Sequence, residues 1–255
     1  MKILITGASG GIGYEFASLY AQDKNSLILV ARDMVKLEKI KIDFEGRYGI
    51  NVDILAIDLS LVDSGQKLID NIDDKKIDIV INNAGMGEVG AFINSDIKKL
   101  TSMINLNITT LTEITHHFAN LMAKSGGGKI LNIASTASFQ PIPTFAVYSA
   151  TKAYVLNLSE AINYELKNSG VTVSTLCPGP TITNFDKSAN ASNIKHLTKY
   201  AMSPKEVAKA GVKQLQNNKM TVIVGFKNKF LAFASSISPF RKLALKISAN
   251  LMKES

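Results

Sequence analysis

The sequence has few cysteine and histidine side chains: its 255 residues include one cysteine, Cys177, and three histidines. A single cysteine cannot form an intramolecular disulfide, which excludes a disulfide-stapled secreted fold and favours the reducing cytoplasm. We expect Cys177, which precedes a proline, to be a small buried residue. No metal site is expected at His116-His117, because adjacent helix residues point in different directions and no third ligand lies at a useful spacing.

The sequence also lacks long apolar runs and an even distribution of charge. No run approaches the roughly 20 residues that span a bilayer, and Met1-Lys2 lead straight into an apolar strand, so we expect no cleavable leader. The formal net charge is +8, yet residues 1–203 carry 19 basic and 19 acidic side chains, whereas residues 204–255 carry 10 and 2. A basic surplus is typical of nucleic-acid binders, but a neutral body with a basic tail predicts no nucleic-acid partner.

Short β-branched apolar runs alternate with helical patterns along the chain. The predicted strands are Lys2–Ile5, Ser26–Ala31, Asn51–Ile57, Ile77–Ile81, Gly128–Ala134, Val171–Leu176 and Thr221–Gly225. The predicted helices start at about Gly11 and Asp33 and cover Leu61–Ile72, Ile97–Ala123 and Tyr148–Asn168. The consecutive apolar positions indicate strands covered by helices on both faces. We therefore predict an α/β fold, a single-domain, doubly wound, Rossmann-like parallel sheet over residues 1–225 with a helical extension at 226–255.

A glycine-rich loop, Thr6-Gly7-Ala8-Ser9-Gly10-Gly11-Ile12-Gly13, joins the first strand to the first helix. Glycines let backbone N–H groups approach a pyrophosphate, which then lies at the positive end of the helix. A glycine cluster alone can mark a simple turn, but this order at the start of a β/α alternation predicts dinucleotide binding. Ligands of such sheets bind beyond the carboxyl ends of the strands, so the irregular stretch at about 180–204 is the predicted substrate loop.

The second strand ends in Ala31-Arg32-Asp33, where dinucleotide folds recognise the adenine ribose. No carboxylate stands at the strand end to accept from a ribose 2′-hydroxyl, whereas Arg32 can pair with a 2′-phosphate. We therefore predict NADP(H) as the preferred cofactor, with NAD(H) as the alternative, and Asp33 as the N-cap of the next helix. The competing interpretation makes Arg32 a solvated surface charge.

Four polar side chains add chemistry to this cofactor site. Tyr148 and Lys152 are four residues apart and share one face of a predicted helix, Ser135 ends a strand, and Asn107 lies in the long preceding helix. A phenol with its ordinary pKa of about 10 exchanges protons poorly at neutral pH. A nearby ammonium stabilises the phenolate and lowers that pKa, so the four residues predict a proton-transfer site.

Across nearly its whole length the sequence resembles the short-chain dehydrogenases/reductases. The matching motifs are the Thr-Gly-x-x-x-Gly-x-Gly loop at 6–13, Asp58-Leu59, Asn82-Asn83-Ala84-Gly85, Ser135, Tyr148-x-x-x-Lys152, and Pro178-Gly179 followed by Thr181 and Thr183. Each motif alone can arise by chance, but their order and spacing are highly specific.

The resemblance implies that Tyr148 is the general acid in carbonyl reduction and the base in alcohol oxidation, while Ser135 holds the substrate oxygen. Lys152 would lower the pKa of Tyr148 and bind the nicotinamide ribose, and Asn107 would fix a water of a proton relay. The other implied cofactor contacts are Gly7, Ser9, Gly11, Ile12, Gly13 and Arg32, with Asp58 and Leu59 at the adenine, Asn83, Ala84 and Gly85 near its ribose, Pro178 and Gly179, and Thr183 with the Ile182 backbone at the carboxamide.

Two of these assignments have competitors. Asn105 competes with Asn107 for the relay, but Asn107-Ile108-Thr109 matches the Asn-apolar-Thr pattern of the family better. Gly10 stands where many NADP-dependent relatives carry a basic residue, so Ser9 and Arg32 would serve the 2′-phosphate alone.

The resemblance implies an NADPH-dependent oxidoreductase that reduces a small-molecule ketone or aldehyde by reversible hydride transfer and forms a homodimer or homotetramer. The alternatives are a 3-oxoacyl thioester reductase and a non-catalytic NADP-binding sensor. The 3-oxoacyl-carrier-protein reductases typically end soon after the last strand, whereas Phe226 and some thirty residues follow it here. This longer form is closer to the loosely characterised bacterial branch related to the D-alanylation-operon oxidoreductase.

The extension has its own pattern after Pro239. Apolar residues recur there at helical spacing, with basic residues between them: Phe240, Leu243, Ala244, Ile247 and Leu251 alternate with Arg241, Lys242 and Lys246. The pattern predicts a basic amphipathic helix. Its apolar stripe either packs on the domain or a second subunit with the lysines in solvent, or gives residues 239–255 a weak contact with an anionic membrane surface.

Overall fold

A parallel sheet of seven strands forms the centre of the molecule in the computed structural model, which describes residues 1–72, 76–191, 201–237 and 241–252. The strands are β1 (Lys2–Thr6), β2 (Ser26–Ala31), β3 (Val52–Ala56), β4 (Ile79–Asn82), β5 (Gly128–Ile133), β6 (Val171–Cys177) and β7 (Thr221–Ile223). Their order is β3-β2-β1-β4-β5-β6-β7. The winding reverses between β1 and β4, which opens a crevice at the carboxyl ends of these strands.

Helices cover both faces of the sheet. They are α1 (Gly11–Gln22), α2 (Met34–Tyr48), α3 (Ser64–Asp70), α4 (Ile97–Ile104), α5 (Leu111–Lys124), α6 (Ala146–Glu165), α7 (Phe185–Ser188), α8 (Pro204–Gln216), α9 (Phe226–Ile237) and α10 (Arg241–Leu251). On one face Phe16 of α1, Phe44 of α2 and Val207 of α8 pack against Ile3 and Ile5. On the other, α3, α5 and α6 cover the alternate strand residues. Both faces of each central strand are therefore apolar, and the predicted doubly wound α/β fold is confirmed.

The main departures from the predicted elements are local. The helix predicted over Leu61–Ile72 begins only at Ser64, because the Asp58 carboxylate accepts two hydrogen bonds from Ser60 and the Ser64 hydroxyl donates to the Leu59 carbonyl. These bonds hold residues 58–63 in a turn. The helix predicted over Ile97–Ala123 contains a π-helical segment at Asn105–Thr110.

Two predictions from single residues are confirmed. Asp33 caps α2, since its carboxylate accepts from the Lys36 backbone N–H at 3.1 Å. Cys177 is a buried free cysteine at the end of β6. Both predictions rested on neighbours in the sequence, namely the helix that follows Asp33 and the proline that follows Cys177.

The chain after β7 forms two helices that pack at the carboxyl end of the sheet. The Ser235 hydroxyl on α9 donates to Gln140 Oε1 at 2.8 Å, and the Ser248 hydroxyl on α10 donates to the Pro141 carbonyl at 3.0 Å. Met252, just after α10, is buried. Among the described residues no helix is both long and apolar enough to cross a membrane.

The predicted apolar stripe of the extension is only partly described. Ile247 is half exposed, whereas the neighbouring Ser248 is buried, so at this turn a polar residue faces the domain. Pro239 and Phe240 lie outside the described residues, as do the side chains of Leu243, Ala244 and Leu251.

Candidate active site

The glycine loop closes tightly on itself between β1 and α1. A Cβ on Gly13 would lie 2.3 Å from the Gly7 carbonyl oxygen and 2.6 Å from Asn83 Nδ2. Asn83 Nδ2 in turn donates to the Thr6 carbonyl at 2.9 Å, which ties the loop to the end of β4. Glycine at position 13 is therefore required for the approach of α1 to β1.

The N-terminus of α1 is open. Its N-cap is Gly10, with no side-chain cap, and the first turn holds no acidic residue. Gly10, Gly11 and Ile12 line a cavity, and a Cβ on Gly10 would meet nothing within 4 Å. Free N–H groups and the positive end of the helix dipole make this terminus suited to an anion.

The cavity has a volume of about 500 Å³ and lies at the carboxyl ends of the strands. Most residues that the sequence assigned to the site line it, namely Gly7, Ser9, Gly11, Ile12, Arg32, Asn83, Ala84, Gly85, Ser135, Tyr148, Lys152, Pro178, Gly179 and Thr183. One continuous space thus connects the glycine loop with the predicted proton-transfer residues.

Five of the predicted site residues do not line this cavity: Gly13, Asp58, Leu59, Asn107 and Ile182. The Asp58 carboxylate accepts from Ser60, and Leu59 is buried. The Ile182 N–H donates to the Met202 carbonyl at 2.9 Å and its side chain is exposed, so this N–H already has a partner.

The cavity is cationic beside β2. Arg32 and Lys36 both line it, next to Ser9. Lys36 Nζ lies 2.9 Å from Asp33 Oδ2, and the hydrogen bonds from Lys36 hold the pKa of the Asp33 carboxyl below its ordinary value. Our sequence reasoning missed Lys36, although its position four residues after Arg32, across the first turn of α2, was a usable signal.

Tyr148 is buried in an aromatic group on the cavity wall. Its ring stacks on Phe145 with centroids 4.2 Å apart and contacts Phe185 at 5.4 Å. Burial raises the pKa of Tyr148 to about 12, which the Ser135 side chain opposes and the negative charge of Asp186 reinforces. The lowering of this pKa by Lys152 that the sequence predicted is therefore not found, because burial outweighs it, and without a bound cofactor the phenol keeps its proton at neutral pH.

Lys152 lies one helical turn further along α6 and is also buried. Its Nζ donates to the Ile133 carbonyl at 2.8 Å and lies 5.8 Å from the centroid of the Tyr148 ring. Burial lowers the pKa of Lys152 to about 8. A Cβ on Gly85 would lie 3.3 Å from this Nζ, so glycine there leaves room for the ammonium.

Ser135 caps a 3₁₀ helix at Thr136–Phe139. Its Oγ accepts from the Ala137 N–H at 3.1 Å, which leaves the hydroxyl proton available to donate. The Ser138 hydroxyl accepts from the Ser135 N–H at 3.3 Å and donates to the Lys152 carbonyl at 2.8 Å. Ser138 thus links the backbones of two site residues; its Ser-x-x-Ser spacing was the overlooked signal.

Asn107 is fully buried in the π-helical segment. Its Nδ2 donates to the Met86 carbonyl at 2.9 Å and to Thr151 Oγ1 at 3.0 Å, and its Oδ1 accepts from the Met86 N–H at 3.1 Å. The competing Asn105 instead donates to the Ser60 carbonyl at 3.0 Å. Asn107 is therefore the one that contacts α6 beside Lys152, and π-helical turns often occur at functional sites.

The wall of the cavity opposite the glycine loop comes from the second half of the chain. The lining residues there are mainly apolar, with a few polar side chains: Ile142, Phe145, Phe185, Leu231, Ala232 and Met252, together with Gln140, Asp186 and Ser235. Residues 192–200 of the predicted substrate loop lie outside the described residues. Within the described part of the chain no three His, Cys, Asp or Glu side chains form a metal-binding group.

The buried charge of Lys152 should reduce stability at neutral pH. Its pKa is 10.5 ordinarily and about 8 in the folded protein, so between these values the unfolded chain binds more protons and stability rises with pH. We expect Lys152→Met to melt several degrees above the parent at neutral pH, with the gap closing towards pH 10.5. Melting curves across this range test it, with the exposed Lys124→Met as control; parallel curves for parent and Lys152→Met would contradict it.

Comparison with known proteins adds to this geometry. Residues 1–194 match the family model described as short chain dehydrogenase. The ketoacyl reductase HetN of Nostoc sp. (strain PCC 7120) is 31% identical over 237 residues, which cover 87% of this chain and 77% of that protein.

Solved structures agree with this match. A short-chain dehydrogenase from Sphingobium yanoikuyae in complex with NADPH is 32% identical, with a TM-score of 0.83 and 92% of each chain covered. The bulky-bulky ketone specific alcohol dehydrogenase from Comamonas testosteroni is 29% identical, with a TM-score of 0.79 and 91% of each chain covered. The chain belongs to the short-chain dehydrogenase family and is an oxidoreductase that acts on hydroxyl and carbonyl groups.

Proposed function

We propose that this oxidoreductase reduces a ketone or aldehyde to an alcohol with NADPH and that Tyr148 supplies the proton. The observation that carries the proposal is the protonated, buried phenol of Tyr148 beside Ser135 and Lys152, in the same cavity as the open N-terminus of α1. A sensor that only binds nucleotide would need the helix terminus and Lys152 at the ribose, but neither the Ser135 hydroxyl nor the Tyr148 phenol. Their presence together favours catalysis.

Two features of the cavity fit a phosphorylated dinucleotide. The uncapped α1 terminus suits the pyrophosphate, and the Arg32 and Lys36 side chains suit a 2′-phosphate. The Sphingobium relative was solved with NADPH. We therefore propose NADP(H) as the preferred cofactor and NAD(H) as the weaker one.

The chemistry divides between the cofactor and the side chains. When bound, the reduced nicotinamide supplies a hydride to the carbonyl carbon. The Tyr148 phenol gives its proton to the carbonyl oxygen, so that the C=O bond becomes CH–OH and a phenolate remains. The Ser135 hydroxyl, whose hydrogen bond to the Tyr148 side chain lowers the pKa of the phenol, would turn its proton to the carbonyl oxygen, orient it and stabilise the charge that develops on it. Oxidation of an alcohol is the reverse, with the phenolate as the base.

Lys152 and Asn107 restore the proton. The Lys152 ammonium, close to the Tyr148 ring, stabilises the phenolate. Both protons of Asn107 Nδ2 are already donated, while Oδ1 accepts one hydrogen bond and keeps one lone pair. We propose that this lone pair holds a water that links Lys152 to solvent, which makes Asn107 a positioning residue.

The cavity wall favours an apolar carbonyl compound. Phe145, Phe185, Leu231 and Met252 line the space near Tyr148, and Asp186 adds one carboxylate that disfavours anionic substrates. The alternative substrate is a 3-oxoacyl thioester, since the ketoacyl reductase of Nostoc is a relative.

We also propose that the protein is a cytoplasmic homodimer or homotetramer. Its kinship with the D-alanylation-operon branch stays a prediction.

A panel of ketones, aldehydes and 3-oxoacyl esters, each assayed with NADPH and NADH in parallel, tests the function. We expect neutral, apolar ketones or aldehydes to be reduced fastest, and NADPH to be used with the lower KM. Arg32→Ala should raise the KM for NADPH and leave that for NADH nearly unchanged, because only the 2′-phosphate is lost as a partner. Turnover of none of these compounds, or a strong NADH preference in the parent, would contradict the proposal.

A further inference from the structure

Helix α9 has two different faces. Its inner face, with Leu231, Ala232 and Ser235, lines the active-site cavity. The outer face carries Phe226, Phe230 and Phe233, which are 86%, 67% and 63% exposed. Spacings of four and three residues put these rings in one row along the helix. We call this row the phenylalanine ridge.

The charges next to the ridge along the chain are positive. One lysine lies on each of its flanks, Lys227 and Lys229, and both are exposed. Residues 226–252 also include Arg241, Lys242 and Lys246 but no acidic residue. Three exposed phenylalanines in one row are unusual for a free monomeric surface and mark an interaction site.

The positive charge beside the ridge decides which kind of partner surface fits it. A second copy of the chain packed ridge to ridge would bring the two Lys229 side chains together, and residues 226–252 contain no carboxylate. A neutral apolar surface would use the rings but not the lysines. An anionic phospholipid surface satisfies both, because the rings enter the acyl boundary while the lysines meet the headgroups.

We propose that the phenylalanine ridge docks the enzyme on an anionic phospholipid membrane surface. The outer face of α9 then lies in the interface, and its inner face forms a wall of the catalytic cavity. One helix thus separates the lipid from the substrate site. Resting on the proposed reductase function, this arrangement assigns the substrate to carbonyl compounds apolar enough to partition into the membrane.

The position differs from that expected from the sequence alone. The sequence predicted the membrane contact in residues 239–255. In the structure Ser248 of α10 is buried against the domain, and its hydroxyl donates to the Pro141 carbonyl. The exposed Lys242 and Lys246 of α10 add cationic charge. Among the described residues the row of exposed phenylalanines lies on α9, so the proposal puts the apolar contact there, and α10 adds positive charge.

Vesicle flotation tests the docking directly. The full chain, without cofactor or carbonyl compound, is mixed with vesicles of phosphatidylcholine alone or of phosphatidylcholine with phosphatidylglycerol. We expect binding to the anionic vesicles that weakens with salt. Phe230→Ser should lower the partition constant by about ten-fold, since one buried ring is lost, and Lys229→Gln by about five-fold.

Matched variants isolate the ridge. Phe92→Ser removes a phenylalanine that is 64% exposed elsewhere on the surface, and Lys124→Gln removes an exposed lysine at the end of α5. Both should bind vesicles like the parent. Phe230→Ser should keep its melting temperature and its turnover of a water-soluble carbonyl compound, because Phe230 does not line the cavity.

Two outcomes would overturn the docking proposal. One is that the parent binds anionic vesicles no better than Phe230→Ser does, whether both bind or neither binds. The other is a parent dimer that Phe230→Ser splits without any vesicle binding, which would assign the ridge to a second copy of the chain. Because flotation uses no substrate, a failed reductase assay leaves this result standing, and a failed flotation leaves the reductase proposal standing.

Discussion

Tyr148→Phe should abolish carbonyl reduction while leaving cofactor binding intact. The variant keeps the ring that stacks on Phe145 and loses only the hydroxyl. Proton transfer by a positioned side chain contributes about 10²- to 10⁴-fold to rate, and Tyr148 is the only tyrosine among the described residues that line the cavity. We expect kcat to fall by about 10³-fold or more, with an unchanged Kd for NADPH by fluorescence titration.

Tyr154 provides the matched control on the same helix. It is partly exposed, and its hydroxyl pairs with Thr112 Oγ1 at 3.1 Å, outside the cavity. Tyr154→Phe should therefore keep the parent kcat. Residual turnover by Tyr148→Phe within ten-fold of the parent would remove Tyr148 from the proton-transfer step, and a comparable loss in Tyr154→Phe would mean that the effect is structural.

Gly13→Ala should be the most damaging change in the glycine loop. Its Cβ would lie 2.3 Å from the Gly7 carbonyl oxygen, and because that atom is backbone, α1 would have to move away from β1. Overpacking of this kind costs about 1–3 kcal/mol, or several degrees in melting temperature for a chain of this size. The displaced helix terminus should also weaken NADPH binding by at least ten-fold.

Gly10→Ala separates crowding from the general effect of replacing a glycine. Gly10 has an extended backbone, with φ of 175°, and a Cβ there would meet nothing within 4 Å. We expect the Gly10→Ala melting temperature to stay within about one degree of the parent. Thermal unfolding of the two variants side by side provides the measurement, and equal losses in both would refute the close approach inferred for Gly13.

The fold and much of the site could be predicted from the sequence because they depend on local spacing. Strand, glycine loop and helix follow each other directly, and Tyr148 and Lys152 share a helix face. These relations hold wherever the elements pack. Asn107 could be preferred over Asn105 by pattern, and the structure puts it beside Thr151.

Other features depend on packing between distant segments. Helix propensity does not predict the π-helical turn that carries Asn107. The Asn107 side chain forms hydrogen bonds with Met86 and Thr151, which lie in other parts of the chain. Helical spacing predicted that the extension is a helix. That Ser248 is buried and Ile247 exposed depends on the contact of Ser248 with Pro141, which the spacing does not show. The Ile182 N–H could not be known to pair with Met202 before the loop was folded.

The anchoring of the extension has a kinetic consequence. Helices α9 and α10 close one side of the cavity, and two side-chain hydrogen bonds, Ser235 to Gln140 and Ser248 to Pro141, fasten them to the segment just beyond the 3₁₀ helix that Ser135 caps. Such hydrogen bonds contribute about 0.5–1.5 kcal/mol each to stability, and a strand of the central sheet forms several of them with each neighbouring strand. Together with the buried Ala232 and Met252, the two side-chain hydrogen bonds hold the extension in place. We therefore predict that α9 and α10 open locally at a lower free energy than the sheet, so that amide hydrogen exchange is faster in these helices than in β1 and β4.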